Sequence, residues 1–223
     1  MLSRCLHTTI RTLFCVLAAV TAPVAFAAPV PLQTVYDSVT GNSATSSLTA
    51  STTAWAAGKF TFPTLTNGYQ LAAVKVQLSG VPTGSVELSV WSNNAVTGTP
   101  DAKLFTLSSP ASLVSGLNTF TSTQNLPAGG TPYWIVMKGL PGTPNGFATW
   151  DRTTGGVAGP GASTEVASYT TFSGGQWNPQ TPGEPLMMQI YAVPEPSTYA
   201  MGLAGLGFAG LGALRRRRAA ARR

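Results

Sequence analysis

Two runs of alternating residues constrain the fold of this chain more than any other feature. In Tyr69–Ser79, Val74, Val76 and Leu78 alternate with polar residues, and in Ser85–Ser92 the apolar residues Val86, Leu88 and Val90 do the same. A two-residue period places the apolar side chains on one face of a β-strand, where they can be buried. The segment 80–84, which contains two glycines and a proline, joins the two runs. The pattern therefore predicts a β-hairpin with one buried face.

Further runs rich in β-branched and aromatic residues predict more short strands between turns. These runs are Leu32–Ser38, Trp55–Phe62, Lys103–Leu107, Leu117–Ser122, Tyr133–Lys138, Phe147–Arg152, Glu165–Phe172 and Leu186–Ala192. Residues 42–53 are expected to form a polar loop, and no amphipathic helix is predicted between the termini. We therefore expect an all-β domain, an antiparallel two-sheet sandwich or jelly roll of about nine strands.

The stretch from Trp55 to Ala192 resembles the β-sandwich ectodomains that are grouped as choice-of-anchor proteins. The similar features are strand patterns, namely Phe60–Phe62, Val74–Leu78, Val86–Trp91 leading to Gly98–Pro100, and Tyr133–Met137. The resemblance implies an architecture shared by proteins with interchangeable surface anchors, and it implies no particular activity.

Residues 1–27 have the organisation of a secretory signal peptide. Basic residues precede the apolar run Leu13–Val20, and small residues follow it. Ala25 and Ala27 occupy the third and the first position before the expected cut, so cleavage before Ala28 is predicted. The exported domain would then comprise residues 28–192.

Loss of the signal peptide changes the chemistry that the chain can perform. It removes every cysteine and histidine of the sequence, which are Cys5, His7 and Cys15. Without thiol or imidazole, Ser-His-Asp triads, Cys-His dyads and the common zinc sites are excluded in the mature chain. We therefore expect no metal and no cofactor.

The positive charge of the chain is concentrated at its two ends. The formal net charge of the whole sequence is +6. Between Ala28 and Ala192, five basic residues stand against six acidic ones, which leaves a net charge of −1. Because this region has no basic surface to hold phosphates, the domain is not expected to bind nucleic acid.

The stretch 193–223 contains three parts in a fixed order. It begins with a motif whose prolines hold the backbone extended, formed by Pro194, Glu195 and Pro196. An uncharged, glycine-rich apolar run follows at Tyr199–Leu214. The basic tail 215–223 starts with a cluster of four arginines, Arg215, Arg216, Arg217 and Arg218.

The apolar run predicts a transmembrane helix. It has 16 residues, fewer than the roughly 20 that span a bilayer, but bilayer thinning and snorkelling of the flanking arginines can cover the difference. The arginine cluster would stay on the cytoplasmic side, with the domain outside. We therefore expect an N-terminal signal helix and a C-terminal hydrophobic transmembrane helix to flank the sandwich.

This order of motif, apolar helix and arginine cluster resembles the PEP-CTERM sorting signal of Gram-negative bacteria. The resemblance implies recognition by an exosortase, a membrane-embedded cysteine transpeptidase-like enzyme, and removal of the hydrophobic tail near the motif. It also implies species that make extracellular polysaccharide. A permanent single-span anchor is the alternative interpretation.

Paired carboxylates are the only catalytic arrangement that the residue types of the mature chain readily allow. Asp151 and Glu165 are candidates for the acid and base of a glycosidase. The alternative is a loop ion pair between Asp151 and Arg152. Catalysis is not expected, because a fold alone supplies no activity.

Tryptophan offers a second kind of candidate site, a surface on which sugar rings stack. Trp91 is predicted on the face of its strand opposite Val86, Leu88 and Val90, and Trp177 is predicted in the loop 173–183. The candidate glycan contacts are Trp91, Asn93, Trp177 and Asn178. The alternative is that most tryptophans of the domain fill the core or cover its edges.

The sequence therefore predicts an exported, surface-sorted, non-catalytic protein with a structural or adhesive role in the cell envelope or in an exopolysaccharide and biofilm matrix. A specific carbohydrate-binding module and a glycosidase are the alternatives. The expected partners are the Sec translocon, an exosortase-type enzyme, the inner membrane for as long as the C-terminal helix is attached, and an extracellular polysaccharide.

Overall fold

The computed structural model describes residues 32–62, 68–127, 130–159, 168–171, 175–179 and 184–194. Within these ranges the regular structure is entirely β. No helix of the described residues is long and apolar enough to cross a membrane. The expected signal helix and C-terminal hydrophobic helix lie outside the described residues.

The described residues form thirteen strands, more than the nine or so expected. They are β1 Gln33–Asp37, β2 Ser46–Ala50, β3 Trp55–Thr61, β4 Tyr69–Thr83, β5 Val86–Asn93, β6 Pro100–Thr106, β7 Gly116–Thr121, β8 Asn125–Leu126, β9 Pro132–Gly139, β10 Phe147–Arg152, β11 Ser168–Thr171, β12 Trp177–Pro179 and β13 Met188–Pro194.

The strands form two antiparallel sheets. The first sheet has the order β1-β13-β4-β10-β2, and β7 and β8 also pair with β4. The second sheet has the order β12-β11-β3-β9-β5-β6. The apolar faces of both sheets meet in one core that contains side chains of β4 and β10 as well as of β3, β5 and β9. The all-β, two-sheet antiparallel architecture is therefore confirmed.

The long strand β4 organises the first sheet. On one edge it pairs with β13 and then with β10, and on the other edge it pairs with β8 and β7. Val74 shows this arrangement directly, since it lies opposite Ile190 on one side and Phe120 on the other. Both edges of β4 are therefore occupied along most of its fifteen residues.

The predicted hairpin between the two alternating runs is wrong, although both runs are strands. β4 pairs only within the first sheet, and β5 pairs with β6 and β9 of the second sheet. The chain crosses between the sheets at Gly84, where φ is +57° and a Cβ atom would lie 2.5 Å from the carbonyl oxygen of Pro144. Because alternation reports only which face is buried, it fits a crossing between sheets as well as a hairpin.

Two other local predictions are also corrected. The segment 42–53, expected to be a polar loop, contains β2, which pairs with β10. Trp177, expected in a loop, begins β12, which pairs with β11. Both strands are short and lie at sheet edges, where a strand needs little apolar patterning.

An aromatic cluster fastens the two sheets to each other at one end of the core. Phe62 follows β3 and stacks on Tyr69 of β4, with ring centroids 4.7 Å apart and planes 13° from parallel. Phe60 and Tyr133 of the second sheet meet Phe62 at 5.4 Å and 6.1 Å. All four rings are buried, so this cluster joins β4 of the first sheet to β3 and β9 of the second sheet, with which β4 does not pair.

We expect Phe62→Ala to lower the free energy of unfolding by about 3–5 kcal/mol, because it opens a cavity between the sheets. The measurement is urea denaturation of the full-length protein, followed by tryptophan fluorescence. Phe147→Ala is the matched control, since this ring is 43% exposed and its loss should cost under about 1 kcal/mol. Equal losses in the two variants would contradict the bridging role of Phe62.

Candidate functional site

The outer face of the second sheet is covered by tryptophan side chains. On β5, the buried residues Val86, Leu88 and Val90 face the core, whereas Trp91 lies on the outer face in the described structure. Trp177 of β12 lies on the same face. The predicted orientation of Trp91 is therefore confirmed, and the structure brings Trp91 and Trp177 together, with ring centroids 6.2 Å apart.

This closeness requires both side chains to extend across the sheet. Three strands separate β12 from β5, so their backbones are about 19 Å apart at the usual strand spacing. Trp55 of β3 lies between them, 6.0 Å from Trp91 and 6.3 Å from Trp177. The three rings meet edge to face at interplanar angles of 61°, 66° and 81°, a favourable arrangement for aromatic pairs. We call Trp55, Trp91 and Trp177 the tryptophan cluster.

Small and apolar residues form the floor of the tryptophan cluster. Ala57, Trp134 and Val136 are fully buried beneath it. The buried Ser89 accepts a hydrogen bond from Trp91 Nε1 at 2.9 Å, which holds the indole down on the sheet. The three rings above are only partly buried, so part of their apolar surface faces water.

Asn93 supports this floor from the end of β5. Its Oδ1 accepts a hydrogen bond from Trp134 Nε1 at 2.9 Å, and its Nδ2 donates to the carbonyl oxygen of Asn94 at 3.1 Å. Both ends of the Asn93 amide therefore have partners within the protein. Asn178, beside Trp177, donates from Nδ2 to the carbonyl oxygen of Gln176 at 3.5 Å.

Lysine side chains surround the tryptophan cluster. Lys138 Nζ lies over the Trp55 ring, 5.3 Å from its centroid, in a cation–π contact. It also lies 3.3 Å from Glu87 Oε1, and Lys103 Nζ lies 3.3 Å from the same oxygen. Lys59 Nζ lies 5.9 Å from the centroid of the Trp134 ring. The site thus combines partly exposed aromatic surface with ammonium groups.

Trp55 and Trp134 belong to this face but were not among the predicted contacts. In β3, Trp55, Ala57 and Lys59 alternate with the core residues Phe60 and Ala56, so a two-residue period could have found Trp55. In β9 the residues on both faces are apolar, so the period cannot tell Trp134 from a core side chain.

Asp151 lies in the first sheet, remote from the tryptophan cluster in strand order. Its side chain is 4% exposed and accepts a hydrogen bond from Ser79 Oγ. Burial raises the pKa of the Asp151 carboxyl above its usual value. The alternative ion pair with Arg152 is not formed, because Arg152 lies 3.3 Å from Glu184 instead. Glu165, the other candidate carboxylate, lies outside the described residues.

Among the residues that the structure describes, no three His, Cys, Asp or Glu side chains are grouped so that they could hold a metal ion.

Of the predicted sorting residues, Pro194 is the last residue of β13 and lies opposite Tyr69 of β4. The remaining processing residues lie outside the described residues, namely Glu195, Pro196, Arg215, Arg216, Arg217, Arg218, Ala25, Ala27 and Ala28.

The fold and the outer face define an antiparallel two-sheet β-sandwich with an aromatic surface. Residues 192–218 match the model of the PEP-CTERM protein-sorting motif. The chain therefore carries a PEP-CTERM sorting motif, which confirms the resemblance drawn from the proline motif, the apolar run and the arginine cluster. The motif implies an exported protein that is held in the membrane by its C-terminal segment, processed by an exosortase and sorted to the surface.

No curated protein matches the sequence. A solved structure similar to this chain is that of the cysteine protease and lectin-like domains of a surface layer associated protein of Clostridium difficile, at 13% sequence identity and a TM-score of 0.42. The similarity covers 65% of this chain and 33% of that one, so this chain spans about a third of its length.

We expect Asp151→Asn to change how stability depends on pH. Because the pKa of Asp151 is raised in the folded protein, ionisation favours the unfolded chain, and the contribution of Asp151 to wild-type stability falls as pH rises from the unfolded pKa near 3.8 through the folded pKa. The asparagine keeps an oxygen for Ser79 Oγ and has no proton to lose, so this fall should vanish. Urea denaturation at pH 4, 5, 6 and 7 measures it. If the free energy of unfolding depends on pH in the same way in both proteins, burial does not raise the pKa of the Asp151 carboxyl.

Proposed function

We propose that residues 28–192 form a non-catalytic module that binds polysaccharide of the cell envelope or extracellular matrix through the tryptophan cluster. The observation that carries the proposal is the gathering of Trp91 and Trp177 around Trp55, from strands at opposite sides of the second sheet. Adhesion to the matrix then gives the surface-sorted domain a structural role.

The chemistry of this face supports sugar binding. The outer face of an antiparallel sheet ordinarily carries polar side chains, yet here it carries indole rings that are only partly buried. Apolar patches that face water commonly mark binding sites. An indole offers a flat apolar face for the C–H groups of a sugar ring, and neighbouring polar groups can bind the hydroxyls.

The competing interpretation is that the tryptophans only cover the sheet. A cover and a binding surface respond differently to substitution. Removal of a ring that only covers the sheet lowers stability and does not change ligand binding, whereas removal of a ring that binds the ligand weakens affinity at a modest cost in stability. Trp177 suits this comparison because it lies on the edge strand β12, where the sheet depends least on it.

We expect saturable quenching of tryptophan fluorescence when the full-length protein in detergent is titrated with polysaccharide from a producing strain. Trp177→Ala should weaken binding at least about tenfold, since truncation of an aromatic residue that carries binding energy commonly costs about 2 kcal/mol or more. Phe147→Ala removes an exposed ring elsewhere and should bind like the wild type. Unchanged affinity in Trp177→Ala, or the absence of saturable binding, would overturn the proposal.

The non-catalytic part of the proposal has its own test. Incubation of the same polysaccharide with the protein should release no reducing sugar. Asp151 is almost fully buried and accepts a hydrogen bond from Ser79. This environment is typical of a structural carboxylate. Sugar release that Asp151→Asn abolishes would replace the binding module with the glycosidase.

We also expect a defined pair of chain ends in the processed protein. The structure keeps β13 paired with β4 as far as Pro194, so a cut on the C-terminal side of Pro194 leaves the sheet intact. Intact-mass measurement on envelope and medium fractions should find a species that starts at Ala28 and ends near Pro196. Glu195→Ala or loss of the exosortase should leave a species that keeps Arg223. The same mass in both strains, or a product that ends before Pro194, would contradict this processing.

A further inference from the structure

We infer that the tryptophan cluster selects an anionic polysaccharide built from carboxylated sugars, in preference to a neutral glycan. This inference rests on the proposed function, since it assigns the ligand chemistry of the same surface. It follows from where the charged residues lie on the domain, which the net charge of the sequence does not show.

Basic side chains are concentrated on the outer face of the second sheet. The region 28–192 has five basic residues and a net charge of −1. Three of the five, Lys59, Lys103 and Lys138, lie on this face beside the aromatic rings. The other two, Lys75 and Arg152, belong to strands of the first sheet.

Backbone register places these lysines next to the tryptophans. Lys103 of β6 lies opposite Trp91 of β5, and Trp91 lies opposite Trp134 of β9. Residues opposite each other in an antiparallel pair share a face, with Cβ atoms about 5 Å apart. Lys138 contacts the cluster directly, because its Nζ lies over the Trp55 ring.

The Glu87 carboxylate forms ion pairs with two of these ammonium groups. Glu87 Oε1 lies 3.3 Å from Lys103 Nζ and 3.3 Å from Lys138 Nζ. A single negative charge cannot balance both ammonium groups, so a positive charge is left at the rim of the cluster. The Lys103 side chain is 40% exposed, which leaves its ammonium group open to a further anion.

The other acidic residue on the strands of this sheet is Asp101, which is exposed at the start of β6. Even with Asp101 counted, the strands of the second sheet carry three lysines against two carboxylates. The described strands of the second sheet therefore carry one more basic than acidic residue, within a domain whose net charge is −1. An anionic ligand is attracted to this face in preference to the rest of the surface.

A carboxylated sugar matches both features of the surface. Its ring can lie against the partly exposed indoles, and its carboxylate can accept charge-assisted hydrogen bonds from Lys103 and Lys138. Such contacts near the surface are screened by salt. A neutral sugar would make the stacking contact and leave the excess ammonium charge with water alone.

The test compares one polysaccharide in two charge states. Polysaccharide from a producing strain is used as isolated and after chemical reduction of its carboxyl groups to primary alcohols, which keeps the sugar rings and removes the charge. Each form is titrated into the full-length protein in detergent. We expect the native form to bind at least about tenfold more tightly, the scale of one charge-assisted contact, and we expect added NaCl to reduce that advantage.

Lysine variants identify the groups responsible. Lys103→Met and Lys138→Met keep the length of the side chain and should each weaken binding of the native form about three- to tenfold, so that the preference for the native over the reduced form falls. Lys75→Met is the matched control, because Lys75 Nζ also lies over an aromatic ring, 4.8 Å from the centroid of Tyr191, but in the first sheet. It should bind like the wild type.

The outcomes separate this inference from the proposed function. Equal, Trp177-dependent binding of the native and reduced forms would overturn the charge selectivity and leave the proposed function standing. Failure of both forms to bind would overturn both. Equally tight binding of double-stranded DNA would show a general attraction for polyanions, which would also overturn selection of carboxylated sugars.

Discussion

The architecture depends on the hydrogen bonding of β4 along both of its edges. This strand holds β13 and β10 on one side and β7 and β8 on the other, and the strand that follows it in sequence does not pair with it. The chain instead crosses at Gly84 and starts a second sheet. The apolar faces of β4 and β5 then oppose each other across the core. Packing the two sheets face to face buries the apolar faces that make up the core, and this packing is the sandwich.

The second sheet carries the tryptophan cluster on the face that the core does not use. There the small side chains of Ala57 and Ser89 leave room for indoles to lie across the strands, and Ser89 and Asn93 satisfy the buried N–H groups of Trp91 and Trp134. Asn93 thus serves the site by positioning Trp134. The lysines around the rings add charge without disturbing this packing. The same residues that make the face stable give it a defined apolar and cationic chemistry.

The sequence predicts the parts of this structure that depend on local patterning. Alternation in β5 predicts that Trp91 faces away from the core, and the composition predicts an all-β domain. Alternation does not identify partners, so the pairing of β4 and β5 was wrong, although both were predicted as strands. The closeness of Trp91 and Trp177 has no local signal, because it depends on the order of six strands. Trp134 could not be assigned to a face, since β9 is apolar on both.

The place of Pro194 at the end of β13 has a mechanical consequence. β13 lies between β1 and β4 and pairs with both, and the sorting motif continues the chain from its last residue. A tensile load that enters through the motif therefore acts along the axis of an interior strand, in the direction of the strand itself. Such a load strains many interstrand hydrogen bonds together in shear, whereas a load on an edge strand can peel them one at a time. A domain held at the surface through this motif would resist detachment by flow without any covalent crosslink in its core.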